Sequence, residues 1–503
     1  MKIILKMVML IFMCLFFFTS CENQMDENID SSSTENSKLA VNELYDSNSN
    51  LKREFGKALM ISLNESKSLR DLIKNKSLEM FDNDYEVLYE MIKNEKLENG
   101  LTLRESLLKN IGNENRLLQI EINNPTLTIL VPELPENSFS AKLWNTDKEI
   151  PKVAIRLNTS NNVPIINQDG TEDIIEAKYT PGFPIIVIKE NERVIVEKNK
   201  EFGKLKTRTL KTESSVVFKF LDNCFDKTKN SKKEMMRTVN SNILDPKIIT
   251  AYNTYTGSNV DGWDRDYIYY GITPTTPKGP FKYDFQESIQ SFSLQGDPIA
   301  AYNKIADQTN DPKFVSGGSS TWTGGNFEFK IRIIVNAKNG IGSEIIKYFN
   351  ATPNDLFVVE SRKVKISFAY FYINSIKSLR QMPLNIPIFN WDLDQYASSI
   401  KIEIEEVDLT ETTVLTDTRT VKFATNFNIE GTLLKVGLKF GASLEQTTTH
   451  TVQKTYTQGN DALGEVIVNF ADKIIISQAG SDYTTREYNS GLYSISVEPM
   501  RVQ

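Results

Sequence analysis

One stretch of the chain alternates apolar and charged residues without a break: Phe327-Glu328-Phe329-Lys330-Ile331-Arg332-Ile333. Successive side chains of a β-strand point to opposite faces of the sheet, so this pattern predicts a strand with one buried and one polar face. A similar alternation runs through residues 364–372 and again through residues 400–405. Strands with one polar face are typical of antiparallel sheets, and we therefore expect an antiparallel β-sandwich over residues 246–503.

Part of this region has a different period. Phe285, Ile289 and Phe292 recur at helical spacing, and Asp297-Pro298 has the residue types of a helix start. We therefore expect residues 284–307 to be helical. Further strands are predicted near the C-terminus, at 464–470, 473–477 and 491–498.

Residues 433–457 predict a long hairpin. Apolar and polar residues alternate from Leu434 to Glu445, and one face of the returning strand then carries Thr447, Thr449, Thr451, Thr455 and Thr457. The stretch resembles the membrane-inserting hairpin of aerolysin-type pore-forming proteins, which implies a pore-forming or membrane-attack function. A second interpretation is a solvent-exposed threonine ladder on a sandwich sheet, since threonine has a high strand propensity.

Residues 51–112 are predicted to form a small helical subdomain. Phe55 and Leu59 begin an apolar stripe at helical spacing. Thr102 and Glu105 have the spacing of a capping box, in which each side chain bonds the other residue's backbone N–H. Amphipathic helices of this kind usually bury their apolar stripe against other parts of the protein.

Apolar runs separated by turn residues follow, and they assign residues 115–200 to a small β-rich domain with a hairpin at 185–196. The Lys-rich residues 201–245 are predicted to be a linker or loop. Together with the sandwich, these assignments give an α+β fold that is mainly β.

Residues 21–50 carry seven acids and one lysine after the cysteine, together with many Ser and Asn. Such a segment buries too little apolar surface to offset its ordering entropy, so we expect a disordered tether.

Residues 1–20 have the organisation of a signal peptide, with Lys2 and Lys6 flanking the start of a short apolar run. The segment from Phe18 to Cys21 resembles a bacterial lipobox, with Phe18 where the ideal pattern has leucine. The resemblance implies cleavage before Cys21, a diacylglyceryl group on its sulfur and acylation of the new amino end. An ordinary secretory signal is the alternative.

A lipidated Cys21 would make the chain a membrane-anchored lipoprotein of the bacterial cell envelope. The acidic residues after Cys21 also resemble export signals of surface-displayed Gram-negative lipoproteins, although a solvated spacer has the same composition. We expect an outer-membrane location, with the surface and the periplasmic face both left open.

Two acidic turns are candidates for a structural calcium site. They contribute Asp261, Asp264, Asp266, Asp392 and Asp394. Calcium takes six to eight oxygen ligands, so carboxylates clustered in turns have suitable chemistry. The spacing does not match an EF-hand loop, and hydrogen-bonded turns without metal have the same composition.

Three tryptophans in turn-rich contexts, Trp263, Trp322 and Trp391, are candidates for a glycan-stacking surface. Indole rings present a large flat apolar face, which suits stacking on a sugar ring. Core packing is the alternative, because tryptophan is highly buried on average.

The composition excludes several classes of function. His450 is the single histidine, which leaves no second imidazole for a zinc site, and no Gly-x-Ser-x-Gly motif supplies a nucleophile. A formal charge of −7 gives no basic footprint for nucleic acid, and no phosphate-binding glycine motif is present. Once the signal peptide is removed and Cys21 is lipidated, Cys224 has no cysteine with which to form an intrachain disulfide.

We therefore predict a non-enzymatic, lipid-anchored envelope protein that binds a glycan, a protein or another surface partner. No cofactor is expected apart from the candidate calcium ion, and the oligomeric state is left open. Besides pore formation, the remaining alternative is a glycoside hydrolase that uses only carboxylates.

Overall fold

The computed structural model describes residues 31–157, 160–197, 217–228, 244–256, 262–276, 279–306, 314–315, 318–319, 321–324, 326–337, 342–407, 416–428, 445–457 and 460–502. The chain divides into two compact units, residues 1–47 and 48–503, and the packing described below belongs to the second. Cys21 lies outside the described residues. No helix among the described residues is both long enough and apolar enough to cross a bilayer.

The helices are α1 (Ser31–Glu65), α2 (Lys67–Glu79), α3 (Tyr89–Ile92), α4 (Leu103–Ile111), α5 (Glu114–Asn123), α6 (Pro246–Thr256), α7 (Asp264–Tyr270), α8 (Pro298–Ile305) and α9 (Pro353–Leu356). The helix α1 begins at Ser31, so residues 31–50 are helical where a disordered tether was predicted. Glu35, Lys38, Leu39, Ala40, Glu43 and Leu44 are good helix formers, and the segment continues directly into the predicted helix.

The strands of the N-terminal part are β1 (Glu86–Leu88), β2 (Leu127–Leu130), β3 (Lys152–Ile155), β4 (Val163–Ile166), β5 (Glu172–Ile175), β6 (Thr180–Pro181), β7 (Ile185–Glu190), β8 (Val194–Glu197) and β9 (Val217–Phe220). Six of them form one sheet in the order β1-β2-β7-β3-β4-β5. Its pairs are antiparallel except for β3 with β7, which are parallel. The strand β9 lies in the stretch predicted as a linker and pairs with β8. The predicted hairpin at 185–196 is wrong, because β7 pairs with β2 and β3 instead of β8.

The helices α1 to α5 pack on this sheet. Phe55 and Leu59 of α1 belong to the same buried cluster as Ile155 and Ile188 of the sheet. At Gly56 an added Cβ would lie 3.0 Å from the Ile155 side chain, so the glycine allows the helix to approach the strands closely. The helices and the small sheet therefore share one core.

The C-terminal strands are β10 (Phe285–Leu294), β11 (Phe314–Val315), β12 (Gly318–Ser319), β13 (Phe327–Ala337), β14 (Gly342–Ala351), β15 (Phe357–Ile366), β16 (Ala369–Leu379), β17 (Met382–Pro387), β18 (Tyr396–Glu406), β19 (Thr416–Asn428), β20 (Glu445–Thr457), β21 (Asp461–Asn469), β22 (Ile475–Ala479), β23 (Asp482–Thr485), β24 (Glu487–Asn489) and β25 (Tyr493–Arg501). Two four-stranded sheets, β14-β13-β18-β21 and β17-β10-β25-β24, share one apolar core. Phe292 of one sheet contacts Phe329 of the other, with ring centroids 5.1 Å apart. The predicted α+β, mainly β fold is confirmed.

The prediction of a helix over 284–307 is wrong in its first half, because β10 is a strand and only α8 is helical. The strand contains a β-bulge between Ile289 and Ser291. A bulge inserts one extra residue, so Phe285, Ile289 and Phe292 reach the same face with spacings of four and three. That spacing imitates the period of a helix.

The predicted strand at 364–372 is two strands. The chain turns at Ser367 and Phe368, and Ile366 pairs with Ala369 across the turn. Cross-strand partners share a face, so Val364 and Ile366 lie on one face of the hairpin and Tyr370 and Tyr372 on the other. The alternation of apolar residues in the sequence continues unbroken through the turn, so periodicity could not reveal it.

Of the predicted hairpin at 433–457, the structure describes only the second strand. The strand β20 aligns along its whole length with β19, which brings Thr416 opposite Thr457 and Thr418 opposite Thr455. The proposed partner, residues 434–444, lies outside the described residues.

Candidate functional site

The three candidate tryptophans do not form an open stacking surface. Trp391 is fully buried, and its indole N–H donates to the Ala397 carbonyl at 2.8 Å. Trp263 is half-buried and packs edge-on against Phe470. Trp322 is 6% exposed and donates to the Tyr179 carbonyl at 3.3 Å. Stacking on a sugar needs one open ring face, and burial removes it from Trp391. Trp322 keeps a small exposed area and lines the cleft described below.

The acidic turns lie near each other. Asp264 is buried and accepts from the Ile474 amide at 2.8 Å, and burial raises the pKa of its carboxyl. The Tyr270 hydroxyl at the end of α7 donates to Asp392 at 3.0 Å, which joins the helix to the second turn. The Asp392 carboxylate caps that turn by accepting from the Asp394 backbone amide at 3.0 Å.

Asp266 has a different environment from the other acids. It is 0% exposed, and neither of its carboxylate oxygens has a hydrogen-bond partner among the described residues. Burial raises the pKa of this carboxyl well above its usual range. Within the described part of the chain, no three Asp, Glu, His or Cys side chains are grouped as metal ligands. Asp261 lies outside that part, and the calcium site stays a prediction.

An ion pair lies at the centre of the C-terminal core. The Arg265 guanidinium donates to both oxygens of Glu287, at 2.8 and 3.0 Å, and both side chains are fully buried. The guanidinium also donates to two backbone carbonyls, at 3.0 and 3.2 Å, and lies over the Trp391 ring. The Tyr269 hydroxyl donates to Glu287 at 2.9 Å. Every contact is internal, so this network is structural.

A second buried network surrounds Arg193. Its guanidinium donates to Glu328 at 2.6 Å and to Asp84 at 3.3 Å. Burial raises the pKa of Glu328 to about 7. Burial also raises the pKa of Asp82 well above its usual range, and the charge of neighbouring Glu86 adds to that rise. Asp84 is the member of this network that reaches the surface of a cleft.

The cleft has a volume of about 600 Å³ and lies where the N-terminal core meets the sandwich. Its polar lining is dominated by five asparagines, Asn83, Asn137, Asn326, Asn354 and Asn374. The lining also contains three acids, Asp84, Glu133 and Glu136, and one tryptophan, Trp322. No lysine, arginine or histidine occurs among the described residues that line the cleft.

Unusual backbone conformations gather around this cleft. Five non-glycine residues among the described ones have a positive φ, and four of them line the cleft: Met80 (48°), Asn83 (69°), Glu136 (52°) and Asn137 (54°). Left-handed backbone costs free energy in residues other than glycine, and such strain concentrates at ligand sites. This clustering marks the cleft as the candidate site.

The strands β15 and β16 form one wall of the cleft. Ser361 donates to Asn374 at 2.8 Å, and Asn374 donates to Thr180 at 3.0 Å, so the wall is tied to β6. The Tyr372 hydroxyl donates to Glu136 at 3.0 Å, and the Lys363 ammonium lies 3.6 Å from the same carboxylate. These bonds hold the left-handed turn at Glu136 against the hairpin.

Sequence reasoning did not find this cleft, because its lining comes from separate segments that no motif connects. The one local signal is the turn chemistry of Pro132 to Asn137, where two prolines bracket an acid and a leucine before the left-handed residues.

No family model, curated protein or solved structure matches this chain. The residues and geometry of the cleft are therefore the basis for assigning a function.

Proposed function

We propose that this chain is a lipid-anchored binding protein of the bacterial cell envelope, and that its cleft receives an uncharged, hydroxyl-rich ligand such as a glycan. The observation that carries the proposal is the lining of the cleft, which is rich in amides and carboxylates and lacks cationic side chains among its described residues. The lipobox resemblance at Cys21 supports the location.

The chemistry of the lining selects among ligand classes. An amide offers both donors and acceptors, and a carboxylate accepts from hydroxyl groups, so together they match the alternating donors and acceptors of a sugar. A phosphate or sulfate group would meet three carboxylates, whose partner cations Arg193, Lys142 and Lys363 are not part of the described lining. Like charge at the lining therefore disfavours such a ligand. Trp322, which is 6% exposed, adds an apolar contact for the less polar face of a sugar ring.

Hydrogen bonds also hold the walls of the cleft in place. The capping box of α9, in which Thr352 and Asp355 bond each other's backbone, fixes the segment that carries Asn354. The Glu136 turn is bonded to Tyr372. A site whose walls are fixed before binding loses less conformational entropy when the ligand arrives.

Calorimetric titration with a panel of neutral oligosaccharides tests the proposal. Asn326→Ala and Asn354→Ala should each weaken binding of the responding sugar by about three- to tenfold, the value of one hydrogen bond. Neither amide side chain has a hydrogen bond within the described part of the chain, so both variants should keep their melting temperature.

Asn123→Ala, at the exposed end of α5 and outside the cleft lining, is the matched control. Equal affinity of all three variants and the unmodified chain would contradict a site in the cleft. Failure of every neutral oligosaccharide to bind would contradict the ligand class.

The location has its own test. Cys21→Ala should move the chain from the detergent phase to the aqueous phase in detergent partitioning, because the acyl chains would be lost. Protease treatment of intact cells would then distinguish the cell surface from the periplasm. An unmodified chain already in the aqueous phase would contradict the anchor.

The two alternatives stay predictions with separate readouts. Release of a trapped dye from vesicles would favour the pore-forming function. Hydrolysis of a polysaccharide panel would favour the carboxylate-only glycoside hydrolase.

A further inference from the structure

The turn between β15 and β16 presents a group of apolar side chains to solvent. Phe368 is 99% exposed, Tyr370 46% and Ile366 37%. Ser367, the other residue of the turn, has a φ of 52°, the one left-handed non-glycine among the described residues that is not in the cleft lining. A phenylalanine that contacts almost nothing in its own protein is exposed at a cost in hydrophobic free energy.

The hairpin tip projects from a fixed base. The strand β6 pairs with β16 at Phe371 and Tyr372, and the Gly182 amide donates to the Tyr370 carbonyl at 2.9 Å. Beyond this base the residues from Ser361 to Phe368 are exposed with one exception, the half-buried Val364. The tip therefore has two solvent-facing sides and no neighbour covering it among the described residues.

Cations surround the apolar tip. Arg362 and Lys365 are exposed and form no ion pair within the described part of the chain, while Lys363 lies beside Glu136. The Lys365 ammonium lies 5.8 Å from the centre of the Tyr370 ring. The whole chain carries a charge of −7, so this positive group runs against the overall sign.

From this arrangement we infer that the tip of the β15–β16 hairpin docks onto an anionic lipid surface. Phe368, Ile366 and Tyr370 would enter the boundary between headgroups and acyl chains, and Arg362 and Lys365 would contact the phosphates. Interfacial membrane binding typically combines apolar and aromatic side chains that enter the bilayer with nearby cations that contact the headgroups.

Charge complementarity favours lipid over a second copy of the chain. Another copy carries the same charge of −7, but it presents the same cationic hairpin, so a symmetric contact through this tip would bring like charges together. An anionic bilayer satisfies both parts of the tip at once. The inference uses neither the proposed ligand nor the cleft, and it holds whether or not Cys21 is lipidated.

A fluorophore at the tip tests the inference in the full chain. In a Cys224→Ser background, Phe368→Cys is labelled with an environment-sensitive fluorophore and mixed with vesicles of phosphatidylcholine, with and without phosphatidylserine. Emission should rise with the anionic vesicles, and nitroxide groups on the lipid acyl chains should quench it. The labelled Cys224→Ser parent gives the background from any other cysteine.

Ser481→Cys provides the matched control, because Ser481 lies at another exposed turn, between β22 and β23. The same fluorophore there should show neither the rise nor the quenching. Equal behaviour at the two turns would overturn the inference, since it would show that the label or a remote anchor caused the signal.

The charged part has a separate test. Lys365→Gln should weaken the response to anionic vesicles by about fivefold, whereas Lys148→Gln at another exposed site should leave it unchanged. In a Cys21→Ala background, which removes the proposed lipid anchor, Phe368→Asp at a nearly fully exposed position should abolish the binding of anionic vesicles without changing the melting temperature. If Phe368→Asp instead converts a dimer to a monomer in sedimentation and vesicle binding is absent in every variant, the occupant is a second copy and the inference is wrong.

Discussion

Replacing Glu287 by glutamine removes one charge from the centre of the sandwich and leaves the shape of the side chain almost unchanged. In the native protein Glu287 faces the Arg265 guanidinium through two hydrogen bonds of 2.8 and 3.0 Å, and both side chains are 0% exposed. After the substitution the guanidinium stays buried and charged, because arginine does not release its proton in proteins.

The expected loss follows from what remains around the guanidinium. The carbonyls of Asp472 and Val497 still accept from it, and the glutamine oxygen can still accept from Tyr269 and Arg265. These dipoles supply hydrogen bonds but no counter-charge, and removing one partner of a buried ion pair costs about 3–5 kcal/mol. Domains are stable by about 5–15 kcal/mol, so the loss should be large.

Urea unfolding followed by circular dichroism measures this free energy. Glu360→Gln is the control, because Glu360 pairs with Lys377 at 3.2 Å while their side chains are 69% and 49% exposed. Exposed pairs contribute about 0–1 kcal/mol, so this variant should be almost as stable as the unmodified chain. Equal losses in the two variants, or a loss below about 1 kcal/mol for Glu287→Gln, would refute the reasoning.

Burial raises the pKa of Glu328 from 4.5 to about 7. Between these pH values the native state holds a proton that the unfolded chain has released, so stability should fall as pH rises through this interval. Glu328→Gln should flatten the curve of melting temperature against pH. Burial also raises the pKa of Asp266, so Asp266→Asn should increase the melting temperature. The increase should be larger above neutral pH than in mild acid, because the buried carboxyl is then under more pressure to ionise. A decrease in melting temperature would indicate a partner for the carboxylate. Gly56→Leu should lower the free energy of unfolding by about 1–3 kcal/mol in urea unfolding, because even a Cβ there lies 3.0 Å from Ile155. Lys57→Leu, on the exposed side of the same helix, is the control and should change this free energy little.

Local periodicity predicted much of the fold. The apolar residues from Phe327 to Ile333 face the core on β13, and the Thr102–Glu105 capping box forms both of its hydrogen bonds. The polar face predicted for this strand is buried as well, because Glu328, Lys330 and Arg332 are at most 8% exposed and form ion pairs. Asp297 caps α8 by accepting from two amides. These features depend on residues a few positions apart, which is the range over which a sequence pattern reports backbone geometry.

The failures have physical causes too. The bulge at Ile289 changed the spacing of apolar residues, and the two-residue turn at Ser367 left it unchanged. Neither departure can be separated from regular structure by periodicity.

The cleft was beyond sequence reasoning for a different reason. Its asparagines are drawn from loops and strands between Asn83 and Asn374, and only the folded chain brings them together. The burial of Arg265 and Glu287 is equally non-local, since nothing near either residue distinguishes a buried charge from a solvated one.

The parallel pairing of β3 with β7 sets an order for folding. The strand β7 lies between β2 and β3 and pairs with both. These two pairings can form only after the chain from Arg156 to Pro184 has been synthesised. Before then β2 and β3 are edges with unpaired backbone groups, and such edges associate with other chains. Non-local and parallel pairings form slowly. A chain that stalls or is cut before Ile185 should therefore aggregate, while one that extends past Glu190 can close its first sheet.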